Sequence, residues 1–144
     1  MRCAIVAVLA MASVAASPRG DAPDEESRKL QGTWILVAEE VAGKTSPAEE
    51  VEGVSRTVRG DRVVRKAVAT TSKAILRLDP TTEPKRYDAE IIEGPARGRV
   101  IHGIYRFEGD RLKTCADTTG LSRPKTFATT HKDHYSLQVW RRKD

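Results

Sequence analysis

Two histidines near the C-terminal end, His131 and His134, have a spacing that would allow both to bind one metal ion. Only Asp133 lies between them as a further ligand, and no cysteine stands nearby. A tetrahedral zinc site needs more protein ligands than this pair supplies. We therefore expect a polar surface loop here, with no metal ion and no cofactor.

Paired carboxylates are the second candidate for chemistry. Asp88 and Glu90 alternate along a predicted strand and so share one face. Neither has a neighbour that marks it as a general acid with a raised pKa. The sequence also lacks a glycine-rich phosphate loop, a nucleophile elbow and a catalytic-triad spacing. We expect no catalytic residues and no enzyme.

Aromatic and basic side chains favour ligand binding over catalysis. Arg111, Lys113 and Cys115 alternate along one predicted strand and share a face. If that face points into the fold, a cavity there would be basic at one end and would suit an amphipathic anion. If it points outward, these are ordinary solvent-facing residues, and the sequence leaves both possibilities open. The candidate ligand-binding residues are Tyr87, Tyr105, Phe107, Arg111, Lys113 and Cys115.

The first sixteen residues have the features of a secretory signal peptide. Arg2 supplies the positive start, residues 4–12 form an apolar run, and small residues around Ala16 suit cleavage. We expect export to the periplasm or the medium after cleavage near Ala16. The apolar run is too short to cross a bilayer, and no later stretch reaches membrane length, so we expect no membrane span.

The remainder of the chain is the size of one domain. We assign residues 17–26 to an acidic, flexible lead and residues 27–144 to a single domain, which we expect to be monomeric. Loss of Cys3 with the signal peptide leaves Cys115 as the one cysteine, so no internal disulfide can form. Stability must then come from packing.

Basic residues are concentrated at the C-terminal end of the chain. Residues 97–144 contain 11 Lys and Arg against 5 Asp and Glu. Such an excess favours anionic partners, although these residues mostly alternate with apolar ones, as on a solvated sheet face. Aromatic residues make up only 5% of the chain, too few for a stacking array, so the composition argues against nucleic acid as a partner.

Short runs rich in Val, Ile, Leu and aromatic residues predict β-structure throughout. Helical periodicity is confined to two short segments, residues 24–31 and 47–52. Parallel strands need longer crossover helices, so the sheet should be an antiparallel meander. The eight predicted strands are residues 33–41, 54–59, 62–69, 73–79, 86–92, 99–107, 111–116 and 136–142.

Eight antiparallel strands without a covering helix leave exposed edges unless the sheet closes. We therefore predict an all-β fold: an antiparallel, up-and-down, lipocalin-like barrel with one or two short helices. Residues 117–135 would form a long loop able to close the barrel mouth. Alternation predicts three inward-facing sets: Trp34, Leu36 and Ala38; Tyr87, Ala89 and Ile91; Ile101, Gly103, Tyr105 and Phe107.

Several short motifs along the chain, taken in their order, resemble those of one protein family. They are Leu30-Gln31-Gly32-Thr33-Trp34, Pro47-Ala48-Glu49-Glu50, Leu76-Arg77-Leu78-Asp79-Pro80, Gly94-Pro95 with Gly98, Gly103-Ile104-Tyr105, Gly109-Asp110-Arg111-Leu112 with Cys115, Arg123-Pro124 with Phe127, and the strand from Leu137 to Arg142. Over about residues 27–142 the chain resembles an exported planctomycete-type domain family. That resemblance implies a lipocalin-like fold and supplies no activity.

The lipocalin resemblance also implies a closed barrel end. In lipocalins the tryptophan of a Gly-x-Trp start packs beneath a basic residue from near the last strand. Gly32 and Trp34 match the start, and either Arg141 or Arg142 could be the basic residue. A cation over an indole ring contributes on the order of 0.5 to 2 kcal/mol, so these residues are structural.

Two functions fit these expectations. The first is binding of a small amphipathic or anionic ligand inside the barrel. The alternative is a protein-interaction or inhibitor module, with a protein partner in the cell envelope, that acts through the open-end loops of a filled barrel.

Overall fold

The computed structural model describes residues 22–144, so the predicted signal peptide, residues 1–16, lies outside the described residues. No helix in the described part is long and apolar enough to cross a membrane. Two short helices and nine strands occur within it. In order they are α1 (Ala22–Leu30), β1 (Gly32–Val41), β2 (Lys44–Thr45), α2 (Ala48–Val51), β3 (Ser55–Arg59), β4 (Arg62–Lys66), β5 (Thr71–Asp79), β6 (Lys85–Glu93), β7 (Val100–Glu108), β8 (Arg111–Asp117) and β9 (Tyr135–Arg142).

The strands form an antiparallel meander that closes into a barrel. Each strand from β3 to β8 pairs with the next, and β1 pairs with both β3 and β9. The short β2 pairs with β1 alone. The predicted eight-stranded antiparallel barrel is therefore confirmed, with one additional strand at its rim. Closure removes the unpaired edges that an open sheet of this size would present.

Two tight hairpins follow the Gly-Asp steps of the sequence. Gly60 connects β3 to β4 and Gly109 connects β7 to β8, with φ angles of 61° and 60°. This left-handed conformation is readily adopted by glycine, which has no Cβ. Both hairpins set the register of the strands that they join, so they also determine which residues face inward.

A β-bulge changes the inward face of β1. Trp34 and Leu36 are buried as predicted, but the pairing with β9 shifts between Leu36 and Ala38. The extra residue reverses the alternation, since the side-chain period of a strand is two. Ala38 is consequently exposed, and the prediction that it faces inward is wrong. Glu39 takes the inward position and accepts hydrogen bonds from Gln138 and Ser46.

Helix α1 is part of the folded domain. It begins at Ala22, five positions before the predicted domain boundary, and its Glu26 is buried. The Glu26 carboxylate accepts hydrogen bonds from Lys85 Nζ at 2.5 Å and from Tyr105 Oη at 3.2 Å. The division at residue 27 thus differs from the structure, because a buried acid paired across the fold fixes residues that we assigned to a flexible lead.

The core fills the barrel interior with the inward side chains of the strands and with Leu30 from α1. Trp34 and Trp140 are its largest fully buried members. Val51 from α2 and the adjacent Val54 complete the cluster. Of the aromatic core residues, Tyr87 and Tyr105 also line the cavity described below.

Candidate functional site

A cavity of about 160 Å³ lies inside the barrel. Its wall combines inward side chains of β3 to β8 with Leu30 of α1. Every second residue of a strand faces inward, and at most of these positions the chain has an aliphatic residue, so most of the wall is aliphatic. The aliphatic members are Leu30, Val58, Val63, Ala74, Leu76, Leu78, Ala89, Ile91, Ile101 and Leu112; the polar members are Arg56, Arg65, Ser72, Tyr87, Tyr105 and Thr114.

Helix α1 closes one end of this cavity. Trp34 Nε1 donates a hydrogen bond of 2.9 Å to the carbonyl oxygen of Leu30, which holds the end of the helix against β1. The Arg142 guanidinium lies 4.3 Å from the centre of the Trp34 ring and donates to the carbonyl oxygens of Lys29 and Gln31, both at 2.5 Å. Arg142 is thus the basic residue over the tryptophan, whereas Arg141 pairs with Ile35 and Arg111 along the sheet.

Replacement of Arg142 by alanine should loosen this closed end. The change removes two hydrogen bonds that satisfy carbonyls at the end of α1, together with the cation–π contact. Because Arg142 is exposed, we expect the free energy of unfolding to fall by only about 1 kcal/mol. Urea unfolding monitored by circular dichroism would measure the loss. Arg141→Ala is the matched control and should change stability by less than about 0.5 kcal/mol, and equal effects from both variants would contradict this account.

Two arginines are the most unusual members of the cavity wall. Arg56 and Arg65 are directly opposite each other on β3 and β4. The Arg56 guanidinium lies 4.4 Å from the centre of the Trp140 ring. Burial lowers the pKa of Arg56; the nearby Tyr87 opposes this in part, and the positive charge of Arg65 lowers the pKa further. Both side chains are half-buried, and among the contacts of residues 22–144 neither guanidinium has a hydrogen bond or an ion pair.

The two inward tyrosines belong to the same cavity. Burial raises the pKa of Tyr87, and burial together with Glu26 raises the pKa of Tyr105. Both phenols are therefore neutral at physiological pH. Their rings meet edge to face with centroids 6.4 Å apart. They give the cavity aromatic surface without adding negative charge.

The other four candidate ligand-binding residues lie outside the cavity wall. Phe107 is partly buried and packs against Trp34, with ring centroids 6.2 Å apart. Arg111, Lys113 and Cys115 alternate with Leu112 and Thr114, which do line the cavity, so the first three face away from it. The structure thus brings together Tyr87 and Tyr105, and separates them from the basic face of β8.

Cys115 lies between the outer wall of the barrel and the loop that follows β8. It is completely buried, and its Sγ lies 3.9 Å from the carbonyl oxygen of Ala128. Burial raises the pKa of the Cys115 thiol to about 11. A thiol that is neutral and covered is a poor nucleophile, so Cys115 acts here as a packing residue.

Residues 118–134 cross the outer wall of the barrel, so the prediction that they close its mouth is wrong. Arg123 donates hydrogen bonds to the carbonyl oxygens of Tyr87 and Gly103 and to Asp88. Further along, Thr129 Oγ1 donates to Glu40 on β1. The partners of Arg123 lie on β6 and β7, and the partner of Thr129 lies on β1. These contacts hold the segment against the outside of the sheet, away from the cavity.

Asp88, His102 and Arg123 form a cluster on this outer wall. The Asp88 Oδ1 atom lies 2.7 Å from His102 Nδ1 and 2.6 Å from Arg123 Nη2. Burial would raise the pKa of Asp88, but the hydrogen bonds from His102 and Arg123 outweigh it and lower the pKa. The cluster secures the loop, and Asp88 is therefore a charged anchor rather than a general acid.

Asp117 performs a similar role where the loop begins. Burial alone would raise its pKa, but hydrogen bonds from Thr119 and Ser122 lower it to about 2. His131 and His134 are exposed at the other end of the loop. Within residues 22–144, no three His, Cys, Asp or Glu side chains are grouped so that they could hold a metal ion.

Arg56 and Arg65 were absent from the sequence-derived candidates, although a local signal exists. Arg56 precedes Val58 by two positions, and Arg65 follows Val63 by two positions. In a hairpin with a two-residue connection, this spacing puts both arginines on the apolar face. The pattern is easily missed because basic residues in short strands are usually solvent-facing.

Comparison with known proteins adds no relative to this description. No protein-family model matches the chain, and neither the curated proteins nor the solved structures contain a significant match.

Proposed function

We propose that this protein is an exported, lipocalin-like binding protein that holds one small amphipathic molecule inside its barrel. The observation that carries the proposal is the cavity, which has an aliphatic wall and a few polar groups. This combination is typical of ligand sites, where apolar contacts supply affinity and a small number of polar groups fix orientation.

The size of the cavity limits the ligand. Pockets for drug-sized molecules usually measure roughly 300 to 1,000 Å³. An enclosed apolar cavity of roughly 150 Å³ binds benzene. At about 160 Å³, this barrel therefore suits an apolar group the size of one aromatic ring or a short aliphatic chain. A long-chain lipid would not be enclosed entirely by this volume.

Export is part of the same proposal. It rests on the positive start, apolar run and small residues of positions 1–16. A soluble binder outside the cytoplasm would scavenge or carry a small molecule in the periplasm or the medium.

The first test is native mass spectrometry of the protein purified from the exported fraction of its own cells, compared with the denatured mass. We expect a retained mass of a few hundred daltons or less. A thermal-shift screen of short carboxylates, alcohols and aromatic acids should then show saturable stabilisation, about 2.7 kcal/mol at roughly one hundred times Kd.

Replacement of two alanines by leucine, one inside the barrel and one outside, tests whether binding depends on the cavity. Ala89→Leu adds volume to the cavity wall and should abolish the thermal shift while the barrel remains folded. Ala38→Leu makes the same change at an exposed position and should leave the shift intact. No retained mass and no saturable shift across the panel would overturn the proposal in favour of a protein-interaction module.

A further inference from the structure

The like charges of Arg56 and Arg65 are unfavourable when only this chain is considered. The two residues are direct cross-strand partners and both line the cavity. Like charges directly opposite each other on one sheet face destabilise the pair. The acidic side chain on the inward face of β1, Glu39, is already occupied by Gln138, Ser46 and Ser136.

The other like-charged cross-strand pairs of these strands lie on the outer face of the barrel. Arg59 and Arg62 are also direct partners on β3 and β4, but they are exposed on the outer face, and Arg62 lies 3.5 Å from Asp61. The buried Glu26 is paired with Lys85. Arg56 and Arg65 are half-buried on the cavity wall, and a charge that is partly removed from water is stabilised by a partner. The described part of the chain gives neither guanidinium a hydrogen bond or an ion pair, so both are available to an anion from outside the chain.

The stacking of Arg56 on Trp140 prepares it for such an anion. The indole occupies one face of the planar guanidinium, at 4.4 Å. The five N–H donors of an arginine lie in the plane of the group, so stacking leaves them free for oxygen atoms. A stacked guanidinium is also held in position before the ligand arrives, which reduces the entropy that binding must overcome.

The register of β4 and β5 indicates how the ligand lies. Arg65 is opposite Ser72, at the end of β5 farthest from Leu78. Between Ser72 and Leu78 the cavity wall is aliphatic, with Ala74 and Leu76 on β5. Leu30 of α1 also belongs to this aliphatic part of the wall. The polar end and the apolar end of the cavity are therefore separated along the barrel.

We propose that Arg56 and Arg65 form an anion subsite for the carboxylate of a small organic acid, whose apolar part of roughly six to eight carbons lies toward Leu30. This inference rests on the proposed function, because it requires a ligand inside the barrel. A carboxylate suits the pair since its two oxygens can accept hydrogen bonds from both guanidinium groups at once.

The test compares octanoate with 1-octanol, which has the same chain and no charge, by isothermal titration calorimetry on the exported protein. We expect octanoate to bind at least roughly tenfold more tightly than 1-octanol. Arg56→Met and Arg65→Met should each weaken octanoate binding by roughly 10- to 100-fold, the range for loss of a hydrogen bond to a charged group. Neither should change 1-octanol binding by more than about threefold.

Arg59→Met and Arg62→Met are the matched controls, because they change the same residue type on the same two strands but on the outer face. They should leave the affinity for octanoate within about threefold of the unchanged protein. Retained 1-octanol binding in the inward variants shows that their barrels are folded. If those variants do not fold, the octanoate-to-octanol ratio of the unchanged protein decides the question.

Two results would overturn the inference, and they are distinguishable. Equal affinities for octanoate and 1-octanol, unaffected by the inward substitutions, would remove the anion subsite and retain the barrel as a binder of apolar molecules. If neither octanoate nor 1-octanol binds and native mass spectrometry detects no retained ligand, both the anion subsite and the proposed function are overturned.

Discussion

Replacement of Trp140 by alanine is expected to lower the free energy of unfolding by about 3 to 5 kcal/mol, the usual cost of removing a large aromatic side chain from a core. Trp140 is completely buried. Its direct partners are Leu36 on β1 and Leu112 on β8, both of them buried. It therefore joins the last strand of the barrel to the first, where closure depends on β1 and β9.

Trp140→Phe is the informative comparison. The buried Nε1 of Trp140 has no hydrogen-bond partner among the described residues. Phenylalanine removes this unsatisfied donor while it keeps most of the ring, so the loss should be about 1 to 2 kcal/mol. Urea unfolding of both variants, followed by near-ultraviolet circular dichroism, measures the two values. A loss below about 1 kcal/mol for Trp140→Ala would contradict a closed barrel with Trp140 at its centre.

Gly103→Ala should be the second most damaging single change, although it adds one methyl group. Gly103 lies on β7 directly opposite Tyr87, whose ring covers it. A Cβ at this position would lie 2.6 Å from Tyr87 Oη and closer still to the ring carbons. The tyrosine would have to leave its place in the cavity wall. We expect a loss of about 2 to 3 kcal/mol, as for overpacking of a rigid core.

A double-mutant cycle with Tyr87→Ala tests the cause of this loss. Removal of the ring takes away the three atoms nearest to a Cβ at position 103, so the double variant should lose less stability than the sum of the two single losses. The difference should be about 2 kcal/mol, within the range for residues in direct contact. Additive losses from chemical denaturation would show that Gly103 is required for another reason.

Much of the fold could be predicted from local patterns. The Gly-Asp steps at Gly60 and Gly109 define hairpins, and alternation between them defines strands and inward faces. Antiparallel pairing of chain neighbours then requires only short-range information. The Trp34 end was anticipated through the lipocalin resemblance, which implies a tryptophan beneath a basic residue near the last strand and left Arg141 and Arg142 both open.

The candidate site was only partly predictable. Tyr87 and Tyr105 follow from alternation within single strands, and both line the cavity. The orientation of Arg111, Lys113 and Cys115 depends on which face of β8 meets the rest of the sheet, which no local pattern decides. Arg56 and Arg65 are candidates for a binding site only because they are cross-strand partners on the cavity wall. Each of them alone is an ordinary basic residue in a strand.

The sequence by itself determined the antiparallel barrel, because strand period and turn chemistry act over a few residues. Only the tertiary structure decided the rest. A single bulge turned Ala38 outward, and the anchors of Arg123 laid residues 118–134 on the outer wall. Register then brought two arginines together inside the cavity. These features depend on contacts between residues far apart in the chain, which the alternation of one strand does not encode.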